Sequence, residues 1–114
     1  MRVKRGVASH KKHHKIRLQT KGMTRSNRSS IRRGRQATTK ALQYAYRDRR
    51  NKKRSLRSLW NARINAAARI NGTTYSRLIA NLKRTNINLD RKILSELAVN
   101  EPGAFKSIVD AASK

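Results

Sequence analysis

Residues 37–70 read ATTKALQYAYRDRRNKKRSLRSLWNARINAAARI, a run with neither Gly nor Pro, and Gly72 follows where a helix-ending residue belongs. So long a stretch without a breaker predicts one very long helix, entered from about Ser26 and ending near Asn71. Its forty-odd residues would span roughly 65 Å at 1.5 Å each. Gly34 costs about 1 kcal/mol inside a helix and is expected to mark a bend. Toward the C-terminal end of the run, Leu56, Leu59, Trp60, Ile64, Ala67 and Ile70 share one side at 100° per residue, which predicts a core-facing stripe. Arg63 points into that side, so it must snorkel or find an acid.

Three shorter helices are predicted downstream. The first covers about Tyr75 to Thr85, with Thr73 or Thr74 as N-cap and a stripe of Tyr75, Leu78, Ile79 and Leu82. The second starts near Leu89 with Asn88 as cap and places Leu89, Ile93 and Leu97 together. The third has Pro102 in its first turn and presents Phe105, Ile108, Val109 and Ala112. No stretch alternates at period two, so the fold class is all-α: a basic N-terminal arm and one very long helix leading into a small C-terminal helical domain.

Charge divides the chain more sharply than hydropathy does. It has 114 residues, 30 Lys or Arg against 5 Asp or Glu, and a net charge of +25. Residues 1–57 hold 21 of those cations and a single acid, Asp48. That half has too little apolar surface to offset chain entropy and self-repulsion, so it is expected to lack stable structure alone. Residues 1–23 are expected to form an arm with at most one short helical stretch over Lys11–Leu18. The expected domains are therefore 1–57, a basic arm with the first part of the long helix, and 58–114, a small globular helical domain near the lower size limit for folding alone.

Several enzyme and membrane classes fall away. There is no Cys, so disulfide, thiolate-zinc and thiol chemistry are excluded. No apolar run approaches the ~20 residues of a membrane span, and the basic start has no apolar h-region after it. His10 and His14 share a helical face at i, i+4, but they sit among Lys11, Lys12 and Lys15, four or more nearby cations repel a metal ion, and no Cys or carboxylate is near. Acids are too few for acid/base pairs or two-metal hydrolysis. No catalytic residue, metal or cofactor is expected. Asn27 and Asn71 begin glycosylation sequons that are read as chance matches.

The charge pattern points to nucleic acid. Residues 47–57 hold Arg47, Arg49, Arg50, Lys52, Lys53, Arg54 and Arg57. On a helix these cover all but about 140° of the circumference. The gap holds Tyr44, Asp48, Asn51 and Ser55. A helix lying on one flat surface concentrates its cations on one face, whereas cations on most faces suit a helix enclosed by the phosphates of a folded RNA. Asp48 is expected to pair with Lys52 at i, i+4. Tyr44 and Tyr46 are expected either to stack on bases or to pack on a neighbouring protein. The rival class is a DNA-compacting architectural protein, which the circumferential charge disfavours.

The stretch from Gln43 to Arg54 (QYAYRDRRNKKR), Leu59 to Arg69 (LWNARINAAAR), Tyr75 to Ile79 (YSRLI), Leu89 to Ala98 (LDRKILSELA) and the opening Arg2 to Gly6 (RVKRG) resemble the L20 family of large-subunit ribosomal proteins, colinearly over essentially the whole chain. The resemblance implies a bacterial-type protein that binds large-subunit (23S-type) rRNA directly and is needed for early subunit assembly, not for peptide-bond chemistry. It implies neighbouring ribosomal proteins as partners, in some members the protein's own mRNA, and no membrane. A bacterial, cytoplasmic ribosome is expected over an organellar one. Met23-Thr24 replaces the aromatic-Gly pair usual after Lys-Gly in that family, Ile31 replaces an aromatic, and Gly34 falls where the helix should run on. Electrostatics is therefore expected to carry more of the binding. The residues expected to contact RNA are Arg2, Lys4, Arg5, Lys11, Lys12, Lys15, Arg25, Arg28, Arg32, Arg33, Arg35, Arg47, Arg49, Arg50, Lys52, Lys53, Arg54 and Arg57 along the arm and helix. Arg69, Asn71, Ser76 and Arg77, around the turn after the long helix, form a second contact.

Overall fold

The computed structural model describes residues 4–113. These form six helices, with no strand among the described residues: α1 (Gly6–Gln19), α2 (Arg25–Ser29), α3 (Ile31–Ile70), α4 (Tyr75–Arg84), α5 (Arg91–Asn100) and α6 (Pro102–Ala112). The all-α expectation and the single long helix hold, with α3 forty residues long. The chain divides into two compact units, Met1–Arg50 and Asn51–Lys114.

In the first unit, α1 is a correction to the sequence reading: a continuous helix of 14 residues replaces the expected loose arm with a short helical stretch. About half of its residues (Ala8, Lys11, Lys12, Lys15, Arg17, Leu18 and Gln19) are good helix formers and it includes no Pro, but its apolar side chains form no stripe, so periodicity does not reveal it. What it packs through is small. Thr20 is buried at its C-terminal end and donates its hydroxyl to the Ile16 and Arg17 carbonyls at 3.1 and 3.3 Å. Gly22, with φ +85°, lies in the turn that Met23 N–H closes onto the Thr20 carbonyl at 3.0 Å.

Gly34 is the residue that lets α1 and α2 meet α3. A Cβ at that position would lie 3.0 Å from the Asn27 carbonyl oxygen and 3.0 Å from Ile16 Cγ2. The position is therefore a close backbone approach inside a continuous helix, and glycine's helix cost of about 1 kcal/mol is offset by that approach. The long helix also begins later than expected, because Ser30 adopts an extended conformation between α2 and α3.

The second unit has the hydrophobic core. Ile64 and Ala68 of α3, Leu78 and Leu82 of α4, Leu94 of α5, and Phe105, Val109 and Ala112 of α6 are all buried. Tyr75, Ile79, Leu97 and Ile108 pack against them partly buried, as the predicted stripes of α4 and α6 require. Two stripes are turned from their predicted faces. On α3, Leu56 and Leu59 are exposed and Ile70 is 85 % exposed, while Ala68 goes inward and Trp60, Asn61 and Asn65 are half-buried. Small Ala68 admits a close neighbour, and Asn61 and Asn65 take hydrogen bonds from Tyr75, which a Leu face could not. Arg63 is then exposed and needs no partner. On α5, Leu89 and Leu97 of the predicted stripe pack against the core, but Leu94 rather than Ile93 is the buried residue between them, the helix starting at Arg91 behind Asp90 rather than at Leu89 behind Asn88.

Two helix ends use the same device. Gly72, φ +76°, donates to the Arg69 carbonyl at 3.1 Å while Thr73 N–H reaches the Ala68 carbonyl at 3.0 Å. Asn86, φ 55°, donates to the Lys83 carbonyl at 3.2 Å while Ile87 N–H reaches the Leu82 carbonyl at 2.9 Å. Both are Schellman closures, in which a left-handed residue turns the chain and satisfies two terminal carbonyls. Each puts the following segment back against the core. Ile64 and Ile70 are the same residue type on one helix, so they separate burial from composition. Ile64→Ala should lower the unfolding free energy by about 2–5 kcal/mol, whereas Ile70→Ala should change it by no more than about 0.5 kcal/mol. Thermal and denaturant melts of the two full-length variants measure this. Equal losses would contradict the observed packing face.

Candidate nucleic-acid interface

Every residue from 39 to 59 is exposed, so no side chain in this part of α3 is buried, and only Arg57 near its end shares a concavity with Trp60, Asp90, Arg91 and Lys92. Its cations are therefore available on most of the helix circumference. Among the described residues there is a single ion pair, Arg47 Nε to Asp48 Oδ1 at 2.9 Å, between side chains that are both well exposed. Asp48 thus pairs with its neighbour and not with Lys52 as expected. The reason is that Tyr44 holds Arg47 in place: the guanidinium stands 4.7 Å from the ring centroid. The hydrogen bond from Arg47 to Asp48 raises the arginine's pKa further above its ordinary value, so its charge is fixed at any working pH.

Two more arginines are oriented by their own helix. Arg50 stands 5.2 Å over the Tyr46 ring and donates to its hydroxyl oxygen at 3.3 Å. Arg54 donates to Asn51 Oδ1 at 3.3 Å. Tyr46 and Asn51 therefore supply acceptors that aim neighbouring guanidiniums, a feature the charge pattern alone does not reveal. Arg49, Lys52, Lys53 and Arg57 are exposed.

Within the first unit, helix packing gathers cations into two shallow grooves. One, of about 480 Å³, is lined by Arg5, Ser9, Lys12 and His13 from α1 and its lead-in, with Arg35 of α3. The other, of about 410 Å³, has Arg33, Gln36 and Lys40 of α3 against Asn27 of α2. Of the sequence candidates, Arg5, Lys12, Arg33 and Arg35 are thus brought into concave sites. Lys4, Lys11, Lys15, Arg25, Arg28 and Arg32 are exposed outside them. Arg2 lies outside the described residues. Ser9, Asn27, Gln36 and Lys40 escape sequence reasoning, because the grooves come from helix docking around Gly34 and not from a sequence motif. His10 and His14 lie with ring centroids 6.4 Å apart, and no group of three metal-ligating side chains occurs among the described residues.

The second unit has its own polar concavity of about 410 Å³, lined by Asn61, Asn65, Arg69, Thr74, Tyr75 and Ser76. Arg91 Nε donates to the Tyr75 hydroxyl at 2.8 Å, and that hydroxyl donates to Asn61 Oδ1 at 3.0 Å. Tyr75 N–H, a free donor at the start of α4, donates to Asn65 Oδ1 at 3.4 Å. Arg69 and Ser76 from the predicted second contact do meet here. Arg77 is exposed but does not line the concavity, and Asn71 spends its amide on the Ala67 carbonyl at 2.8 Å as part of the helix end. Asn61, Asn65 and Arg91 escape sequence reasoning because they read as ordinary helix-surface residues. No helix among the described residues is long and apolar enough to cross a membrane.

Comparison with known proteins adds to this geometry. The family model described as "Ribosomal protein L20" matches residues 2–108. The chain is 56 % identical over 111 residues to the large ribosomal subunit protein bL20 of Methylobacterium sp. (strain 4-46), covering 97 % of this chain and 89 % of that one. It is 55 % identical to the protein of the same name from Marinobacter nauticus, covering 97 % and 95 %. It is 53 % identical to that of Hahella chejuensis, covering 99 % and 96 %. A match this long and this even places an exposed, cation-clad helix on a non-enzymatic scaffold, and the chain belongs to the ribosomal protein L20 family.

Proposed function

We propose that the chain is a structural component of a bacterial-type large ribosomal subunit that binds large-subunit rRNA directly and acts early in assembly. The observation that carries this is the bare stretch of α3 over residues 39–59, with cations on most faces and one ion pair among the described residues. A polyanion that surrounds the helix neutralises it from several sides, and Arg predominates because its planar fork takes two phosphate oxygens at once. The names of the relatives, large ribosomal subunit proteins, supply the particle in which such a polyanion occurs. Neighbouring ribosomal proteins are the expected protein partners. The grooves at Arg5–Lys12–Arg35 and at Arg33–Lys40 are assigned to phosphates, and the Arg69–Ser76 concavity to a second RNA contact made by the globular unit.

Binding through phosphates releases counterions, so affinity should fall steeply with salt. On duplex DNA, 6–10 such contacts cost about 10³–10⁵ in affinity between 50 and 200 mM salt, and RNA should behave similarly. Changing Arg49, Arg50, Lys53 and Arg54 together to Gln should flatten the slope of log affinity against log salt. An unchanged slope would show that α3 is not the main phosphate contact.

A helix to be enclosed by RNA must be in place before the RNA closes around it, and nothing in the chain offers chemistry for peptide transfer. Depletion should therefore stall large-subunit assembly at an early, incompletely compacted particle, read by pulse-labelling and sedimentation. Normal subunit yield without the protein would reject the assembly role.

A further inference from the structure

α3 carries one uncharged strip beside its basic stretch. Thr39, Leu42, Gln43 and Tyr46 fall at i, i+3, i+4 and i+7 on one face, and they line a shallow groove of about 470 Å³. Leu42 is 65 % exposed and Tyr46 57 %. Single exposed apolar residues are ordinary, but a Leu and a Tyr sharing one groove form a small apolar patch.

The two tyrosines of this segment are not equivalent. Tyr44 has Arg47 at 4.7 Å and Lys40 at 5.9 Å from its ring centroid. Tyr46 has one cation, Arg50, which also holds its hydroxyl. The Arg50 contact fixes the ring's orientation while its groove beside Leu42 stays open.

No cation lines this groove, so it is not built for a phosphate. It presents a π face, an aliphatic flank and the Gln43 amide, which offers both donor and acceptor. An unpaired nucleobase has the matching chemistry: a flat face to stack and a polar edge to hydrogen-bond. Charge complementarity decides against an apolar protein segment. A base arrives tethered to the phosphates that Lys40, Arg47, Arg49 and Arg50 attract, whereas a protein would have to bring its own acids.

We propose that the Leu42–Gln43–Tyr46 face of α3 is a stacking site for one unpaired RNA nucleobase, with the Tyr46 ring as platform and the Gln43 amide on the base edge. This rests on the RNA-binding reading and adds recognition of an extruded base to recognition of charge.

The test uses the full chain and three RNA duplexes of identical length and flanks: fully paired, with a single-adenine bulge, and with an abasic residue at the bulge. Fluorescence anisotropy titrations are run at several salt concentrations. The adenine bulge should bind roughly tenfold more tightly than the other two, in the range expected for one aromatic–base stack. Tyr46→Phe should keep that preference. Tyr46→Ala should erase it, and it should not disturb the fold because the site is exposed and Ala favours helix. Equal affinity for all three duplexes with a normal salt slope would overturn the stacking site and leave the RNA-binding reading standing. So would a Tyr46→Ala variant that weakened binding to all three equally. Failure to bind any duplex at low salt would overturn both.

Discussion

Repulsion among like charges on an unpacked helix governs how this protein is built. Like charges at i, i+4 on an exposed helix oppose it by about 0.2–0.5 kcal/mol per pair before salt screens them. Seven cations in residues 47–57 make several such pairs, and Asp48 relieves only one of the seven. The chain answers locally: Tyr44, Tyr46 and Asn51 each hold a guanidinium by cation–π contact or hydrogen bond. These contacts orient charge without cancelling it. Cancellation has to come from outside, which is why the proposed ligand is a polyanion.

The same constraint explains why apolar burial is concentrated in one unit. All eight apolar residues that are buried among the described residues belong to the second unit, where acids and cations are nearer balance. The described part of the first unit buries Thr20 and Gly34 and no large apolar side chain. Its helices meet by close backbone approach at Gly34, where an added Cβ would lie 3.0 Å from the Asn27 carbonyl oxygen and a neighbour would have to give way. That packing gathers Arg5, Lys12 and Arg35 into one groove, at the cost of more like-charge repulsion. An anion in the groove would relieve the repulsion that assembling it creates.

Much of this is legible in the sequence where the physics is local. The unbroken run over residues 37–70 specifies α3, Gly72 its end, and Pro102 the start of α6, because breakers and caps act within a turn. The resemblance carried by QYAYRDRR and LWNARINAAAR is enough to identify the family. What escapes is set by tertiary contact. The core face of α3 is turned so that Ile64 and Ala68 go inward and Ile70 outward, since Tyr75 needs Asn61 and Asn65 as acceptors. Helix α1 has no apolar periodicity to betray it, and Gly34 reads as a defect because its reason lies on α1 and α2. The pairing of Arg47 with Asp48, in place of Lys52, follows from an aromatic ring and not from spacing.

The central claim is that the second unit is held by its own core while the first is ordered by the phosphates it is proposed to bind. Residue-resolved hydrogen exchange on the full chain, free and saturated with large-subunit rRNA, tests it most directly. Amides of Ile64, Leu78, Leu94 and Phe105 should be protected in both states. Amides of α1, α2 and residues 31–57 should exchange quickly in the free protein and become protected only with RNA. Strong protection of α1 and of residues 31–57 in the free protein, unchanged on adding RNA, would contradict the account.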